Sequence, residues 1–454
     1  MFKTLCCVAL LSLPLTAMST TLTMETWRVD DQALWQQTLL PLLHKTAPDL
    51  DVKLNPVKTS EYDATLQQRL ENKTAGDLII CRPYDQSLAL FKAGHLVDLT
   101  DFPGMENFPS FAKSAWQTDT GAATFCLPIA SVIQGFFYNV DIFKQLKLTP
   151  PTTREEFFAV LERIRQDGRY LPLALAAHDN WVVSELGFLN IGPAYWKGED
   201  GRLALIHGES TFTSAPFVAA FDELRQWRPY IGPAAESRTE AQTVADFANG
   251  KAAIIVAGSW SIPQFTGKVN FAAFHPPVGK RGDACYFVDH TDMGIGINSA
   301  SPNRDAAWRL LEWMSSAEFA EGFSNAVPGF FSLSNHFFEL HHPVAQQMMS
   351  WRDECDSTIR LGAQFLSRGT PAFNAQLNQL SQAVVLGQQS PQQAAAQIQQ
   401  ALASWYPPQA QAEARAKAMP ACSAPDTAAS AASAATPAPA GGAHYQRGPA
   451  ARDR

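Results

Sequence analysis

The chain has 454 residues, 46% hydrophobic and 11% aromatic, which exceeds one ordinary core and predicts two domains. Its formal net charge of −8, without basic clusters, argues against nucleic acid and anionic membrane as partners. Lys3 and the apolar stretch over residues 5–15 read as a secretory signal too short to span a bilayer, with cleavage expected after Ser19. Cys6 and Cys7 lie too early for a lipoprotein site, so an exported protein is expected, pointing to a Gram-negative periplasm. Cys81, Cys126, Cys285, Cys355 and Cys422 follow the signal without metal or redox spacing, and buried free thiols suit them at least as well as disulfides.

Residues 22–27 alternate as a strand, and Leu34, Trp35, Leu39 and Leu42 set a helix over 31–45. A strand at 51–57, a helix at 60–72 capped by Ser60, a buried strand at 77–81 and a helix at 87–93 ended by Gly94 follow. Strands alternating with helices predict an α/β domain with a largely parallel sheet. Ligands in such sheets sit beyond the C-terminal strand ends, here the loops at 27–31 and 82–85. The extended apolar run 125–138 carries the chain from one domain to another, and helices are expected at 139–146 and 155–166.

Residues 171–262 form a second α/β domain, and its end is the most informative stretch. Asn249 and Gly250 close a helix, residues 252–257 make a strand buried on both faces, and Gly258 permits a sharp turn. Ser259 is expected to cap the next helix, and Trp260 to project at the turn beside free backbone N–H groups. An aromatic plate beside donors suits a sugar ring; the alternative is a tryptophan that plugs the gap between lobes. Beyond it come a strand at 269–274, an extended segment at 285–298 holding Asp289, His290, Thr291 and Asp292, a helix at 303–315 and largely helical residues 335–405. From Pro407 the Ala-, Pro-, Ser- and Gln-rich composition predicts a disordered extension over 407–454.

Four segments together resemble the solute-binding proteins of ABC importers, in particular the carbohydrate-binding family that includes maltose-binding protein. They are Leu127 and Pro128 leading to Tyr138, Asn139, Asp141 and Phe143; Pro150 to Glu156, with Thr153 where Trp is common; Phe247, Gly250, Lys251 and Gly258 to Trp260; and residues 295–313. The resemblance covers about residues 20–405. It implies a two-lobe periplasmic-binding-protein fold, type II-like, with discontinuous lobes, a hinge and an interlobe cleft. Lobe one would be 20–127 plus 285–325, and lobe two 128–284 plus 326–406. A monomer is expected, with a small-molecule carbohydrate and inner-membrane ABC permease subunits as partners, and with neither cofactor nor metal.

Closure needs ligand contacts from both lobes. The candidates are Trp260 as a stacking platform, Trp27, Arg28 and Asp31 after the first strand, Arg82 and Asp85 after another, Gln134 in the crossover, Trp181 in lobe two, Asp292 in the polar cluster and Phe330 in a later loop. Each has a plain alternative: Trp27 as core, the charges as solvated loop. Three further readings stand beside sugar delivery. The same fold would serve as a sensor, or for a charged solute held by Arg28 and Arg82; Asp30 or Asp31 with Asp292 would supply the carboxylate pair of an exported glycan hydrolase.

Overall fold

The computed structural model describes residues 19–418; the signal segment, residues 419–454 and Cys6, Cys7 and Cys422 lie outside them. Among the described residues ten strands join one continuous sheet. Strand β1 (Thr20–Thr26) runs parallel to β2 (Leu50–Pro56) on one side and β3 (Leu78–Cys81) on the other. Next along the chain come β4 (Leu127–Asn139), β5 (Leu171–Ala174), β6 (Ala252–Gly258) and β7 (Phe271–Phe274). Last are β8 (Tyr286–Ile297), β9 (Phe331–Ser332) and β10 (Asp356–Thr358). The order is β2-β1-β3-β8-β4-β6-β5.

Strand β4 has two halves with different partners. Residues 127–133 lie antiparallel to β8, whereas 134–138 lie antiparallel to β6 and 136–139 to β7. The buried side chains divide at the same place. Most of those between residues 22 and 132 and between 293 and 333 form one core, Phe331 packing instead in a cluster of the other half. Beyond Val132 the apolar residues fall into two clusters, one on each face of the second half of the sheet: Phe136, Ile254 and Val256 on one, Phe137, Ile255 and Ala257 on the other. This is a two-lobe α/β architecture with β4 and β8 shared between lobes.

Local chemistry accounts for the elements. Strand β6 is buried along its whole length, and each of Ile254, Ile255 and Val256 contributes about 1.5–3 kcal/mol by burial. The helix Arg154–Asp167 starts on a reciprocal capping box between Thr153 and Glu156 and stops at Gly168, φ +77°.

Four expectations change. The helix Tyr62–Glu71 begins after Glu61, so Ser60 does not cap it. Ser259 does not cap a helix either: its Oγ donates to the Gly329 carbonyl and accepts from the Ile133 N–H. The four described cysteines are not free thiols, because Cys81 is bonded to Cys126 and Cys285 to Cys355. Finally, the disordered extension does not begin at Pro407, since Pro407–Ala418 is a helix. Gln409 is fully buried and donates to the Leu205 and Ser210 carbonyls, while Ala412 packs behind it. Hydrogen bonds of a buried glutamine anchor a segment that has almost no large apolar residue. No described helix is long and apolar enough to cross a membrane.

Candidate functional site

Trp260 is half-buried and packs against both the first core and the second. Its position follows from two glycines. A Cβ on Gly258 would lie 2.0 Å from the Trp260 ring, so the ring folds back over the end of β6 where a side chain would otherwise stand. Gly329, at φ +101°, approaches the same turn so closely that a Cβ there would meet the Ser259 carbonyl at 2.0 Å.

Register then places the neighbours. Gln134 is opposite Gly258 across β4 and β6, so its side chain leaves the sheet on the face that carries the Trp260 ring. His290 is opposite Val132, two residues before Gln134, and shares that face. Strand β10 pairs Thr358 with Val288 in parallel, and two residues further along brings Arg360 beside His290. The helical run after Asn180 lies over the strands: Asn190 donates to the Gly135 carbonyl at 3.3 Å, and Glu185 meets Arg360 at 2.8 Å. Trp181 precedes Glu185 by four residues, on the same side of that run.

This region holds an unusual density of buried polar atoms without hydrogen bonds: both amide atoms of Gln134, Oδ1 of Asn190, Nε2 of His290 and Oγ1 of Thr291. Gln134 and Asn190 have no solvent exposure. Glu185 and Arg360 touch as charges, but their facing Oε2 and Nε are not aligned as a hydrogen bond. Burial, and secondarily the Arg360 charge, hold His290 well below the usual imidazole pKa, so it is neutral. Its Nδ1 lies 2.9 Å from the Thr291 carbonyl. A buried polar group left without a hydrogen-bond partner costs about 1–3 kcal/mol, so such a cluster is unusual for a structural core.

Other predicted residues lie in lobe one, engaged with one another. Trp27 is buried, edge-on to Tyr62, with the Arg82 guanidinium 4.6 Å from its ring centre. Arg82 also donates to Asp63 at 2.7 Å. Arg28 binds Asp31 at 2.7 and 3.0 Å and lies over the buried Phe330 ring. Arg28 and Asp31 border a pocket of only about 10 Å³, too small for a sugar. Asp85 is bound by Arg368, which also holds Asp119. Asp292 is half-buried and is the extra residue where β8 bulges against β4, between Thr291 opposite Ser131 and Met293 opposite Ala130.

The structure thus brings Trp260 and Gln134 to one face and adds Glu185, Asn190, His290 and Arg360, while Trp181 packs on the second core. Glu185 and Asn190 have a sequence signal: they are polar positions inside the apolar run 182–191. His275, Cys285 and Cys355 also cluster, but the two sulfurs are joined to each other. A larger open groove, about 1030 Å³, lies elsewhere between Tyr230 and Gln389.

Comparison with known proteins follows the same line. The family model described as bacterial extracellular solute-binding protein matches residues 27–321. A multiple sugar-binding protein of Streptococcus mutans is 22% identical over 286 residues, 60% of this chain and 65% of that one, so the match spans just under two thirds of this relative. A chitin oligosaccharide binding protein superposes with a TM-score of 0.72 at 20% identity, covering 87% of this chain and 99% of its own. RafE in complex with raffinose superposes with a TM-score of 0.69 at 18% identity, covering 86% and 100%.

Proposed function

The chain belongs to the bacterial extracellular solute-binding proteins, and on that premise we propose that it captures a carbohydrate, an oligosaccharide or sugar derivative, between its lobes and delivers it to the permease of an ABC importer. The family places it outside the cytoplasm, and the sequence of the first 19 residues supports the periplasm. Its relatives are binding proteins, and no catalytic step is assigned here. The carbohydrate-binding relatives support the ligand class.

One observation carries the reading. Trp260 touches both cores beside a face that carries the buried Gln134 amide and His290 imidazole, with the Asn190 amide over the strands. A sugar offers an apolar ring face to the first and hydroxyl edges to the second. Binding that engages both lobes favours the closed state and draws the hinge with it.

The test is calorimetry against a panel of mono- and oligosaccharides, repeated with Trp260→Ala. At least one glycan should bind, and the variant should lose roughly tenfold or more in affinity while remaining folded. Binding of a different solute class and of no glycan would overturn the sugar assignment. A large loss of stability with unchanged affinity would make Trp260 a plug between the lobes.

A further inference from the structure

Four arginines stand at the site or on the loops that face it, and the fold neutralises each of them. Arg28 pairs with Asp31, Arg82 with Asp63, Arg360 with Glu185, and Arg368 with both Asp85 and Asp119. Of these four pairs, Arg360–Glu185 is the one beside Gln134, Asn190 and His290; Asp85 also has a buried oxygen without a hydrogen bond, Oδ2, away from them. A lone guanidinium there would be a ready receptor for a carboxylate or phosphate, which it grips through parallel N–H donors. With Glu185 at 2.8 Å, an anion approaching Arg360 meets a carboxylate already in place. Gln134 and Asn190 beside the pair are uncharged, and His290 is buried next to Arg360; the arginines on neighbouring strand and helix segments, Arg352 and Arg202, are themselves paired with Asp289 and Glu199.

We infer that Glu185 is a specificity-determining residue, which cancels the Arg360 charge so that the site takes uncharged sugars and rejects uronic acids and sugar phosphates. Sugar hydroxyls donate to the Glu185 carboxylate and accept from the Arg360 guanidinium, so both charges serve a neutral ligand. The inference rests on the carbohydrate reading above and goes further, since it assigns the selection against acidic sugars to one side chain.

The test uses the mature chain, a neutral oligosaccharide that it binds, and the matched oligosaccharide with a uronic acid in place of one hexose. Wild type should prefer the neutral ligand by about tenfold or more. Glu185→Gln, which keeps shape and leaves Arg360 uncompensated, should narrow or reverse that preference by about tenfold, with uronate binding that weakens as salt is raised. The double variant Glu185→Gln with Arg360→Gln is neutral again and should return to a preference for the uncharged ligand. Circular dichroism and a melting curve establish that each variant is folded, and Glu185→Ala replaces the Gln variant if that one is not. Unchanged selectivity in the folded variant, or equal weakening for both ligands, overturns the role of Glu185 while leaving carbohydrate capture intact. Failure of wild type to bind any sugar of either kind overturns the carbohydrate reading and this inference with it.

Discussion

Glu223 is buried in lobe two, accepts a hydrogen bond from the Tyr195 hydroxyl and lies 3.3 Å from the Arg154 guanidinium. Burial outweighs both partners and pushes its pKa up to about 7, from an ordinary value of 4.5. Between those two values the native state keeps a proton that the unfolded chain has released. Its contribution is therefore full below about pH 4.5 and is lost as pH rises through 7, about 3 kcal/mol at most. Glu223→Gln should flatten that part of the stability curve, which urea unfolding at intervals from pH 4.5 to 8 would measure. An unchanged slope would place the titrating group elsewhere. At the same scale, Gly258→Ala inserts a methyl group where the Trp260 ring lies. It should displace the ring and weaken sugar binding by roughly tenfold while touching no ligand atom, as calorimetry beside a melting curve would record. The turn at Trp260 was legible because Gly-Ser-Trp after a buried strand announces a sharp turn; that the ring would fold back against both cores was not. Glu185 was legible only as a polar position in an apolar run, since nothing there says which polar position faces a partner strand.

The elements were largely legible, because strand alternation and helix stops are local. Strand β4 was recognised as a crossing segment, but which half pairs with which strand is set by partners more than a hundred residues away. The π-helical turns Trp35–Leu39 and Val183–Phe188 left no signature, although the second one carries Glu185. The segment after β10 ties the lobes together in a way the sequence did not announce. Leu366 is packed in the second core, while Arg368 two residues on grips Asp85 and Asp119 at 2.7 Å beside the first. These ion pairs are partly exposed, so each is worth about 1 kcal/mol or less. Arg368→Ala should still shift the hinge toward the open form. Small-angle scattering of the ligand-free protein should show a larger radius of gyration, and sugar affinity should fall by about three- to tenfold. An unchanged radius and affinity would mean that the pairs do not restrain the lobes.

For the whole molecule, the two lobes share one sheet. Strands β4 and β8 pass from one core to the other, with a bulge in their shared ladder at Asp292, so both strands link the lobes. The covalent map respects the same division. Cys81 and Cys126 both lie in the first core, and Cys285 and Cys355 both belong to the second lobe. The pairs are consecutive along the chain, 45 and 70 residues apart, and neither loop encloses the other. A chain entering an oxidising compartment N-terminus first would present Cys126 to Cys81 before either later partner had emerged. An oxidant joining these four cysteines in order of arrival would therefore write the native pattern directly, with no wrong bond among them to be exchanged.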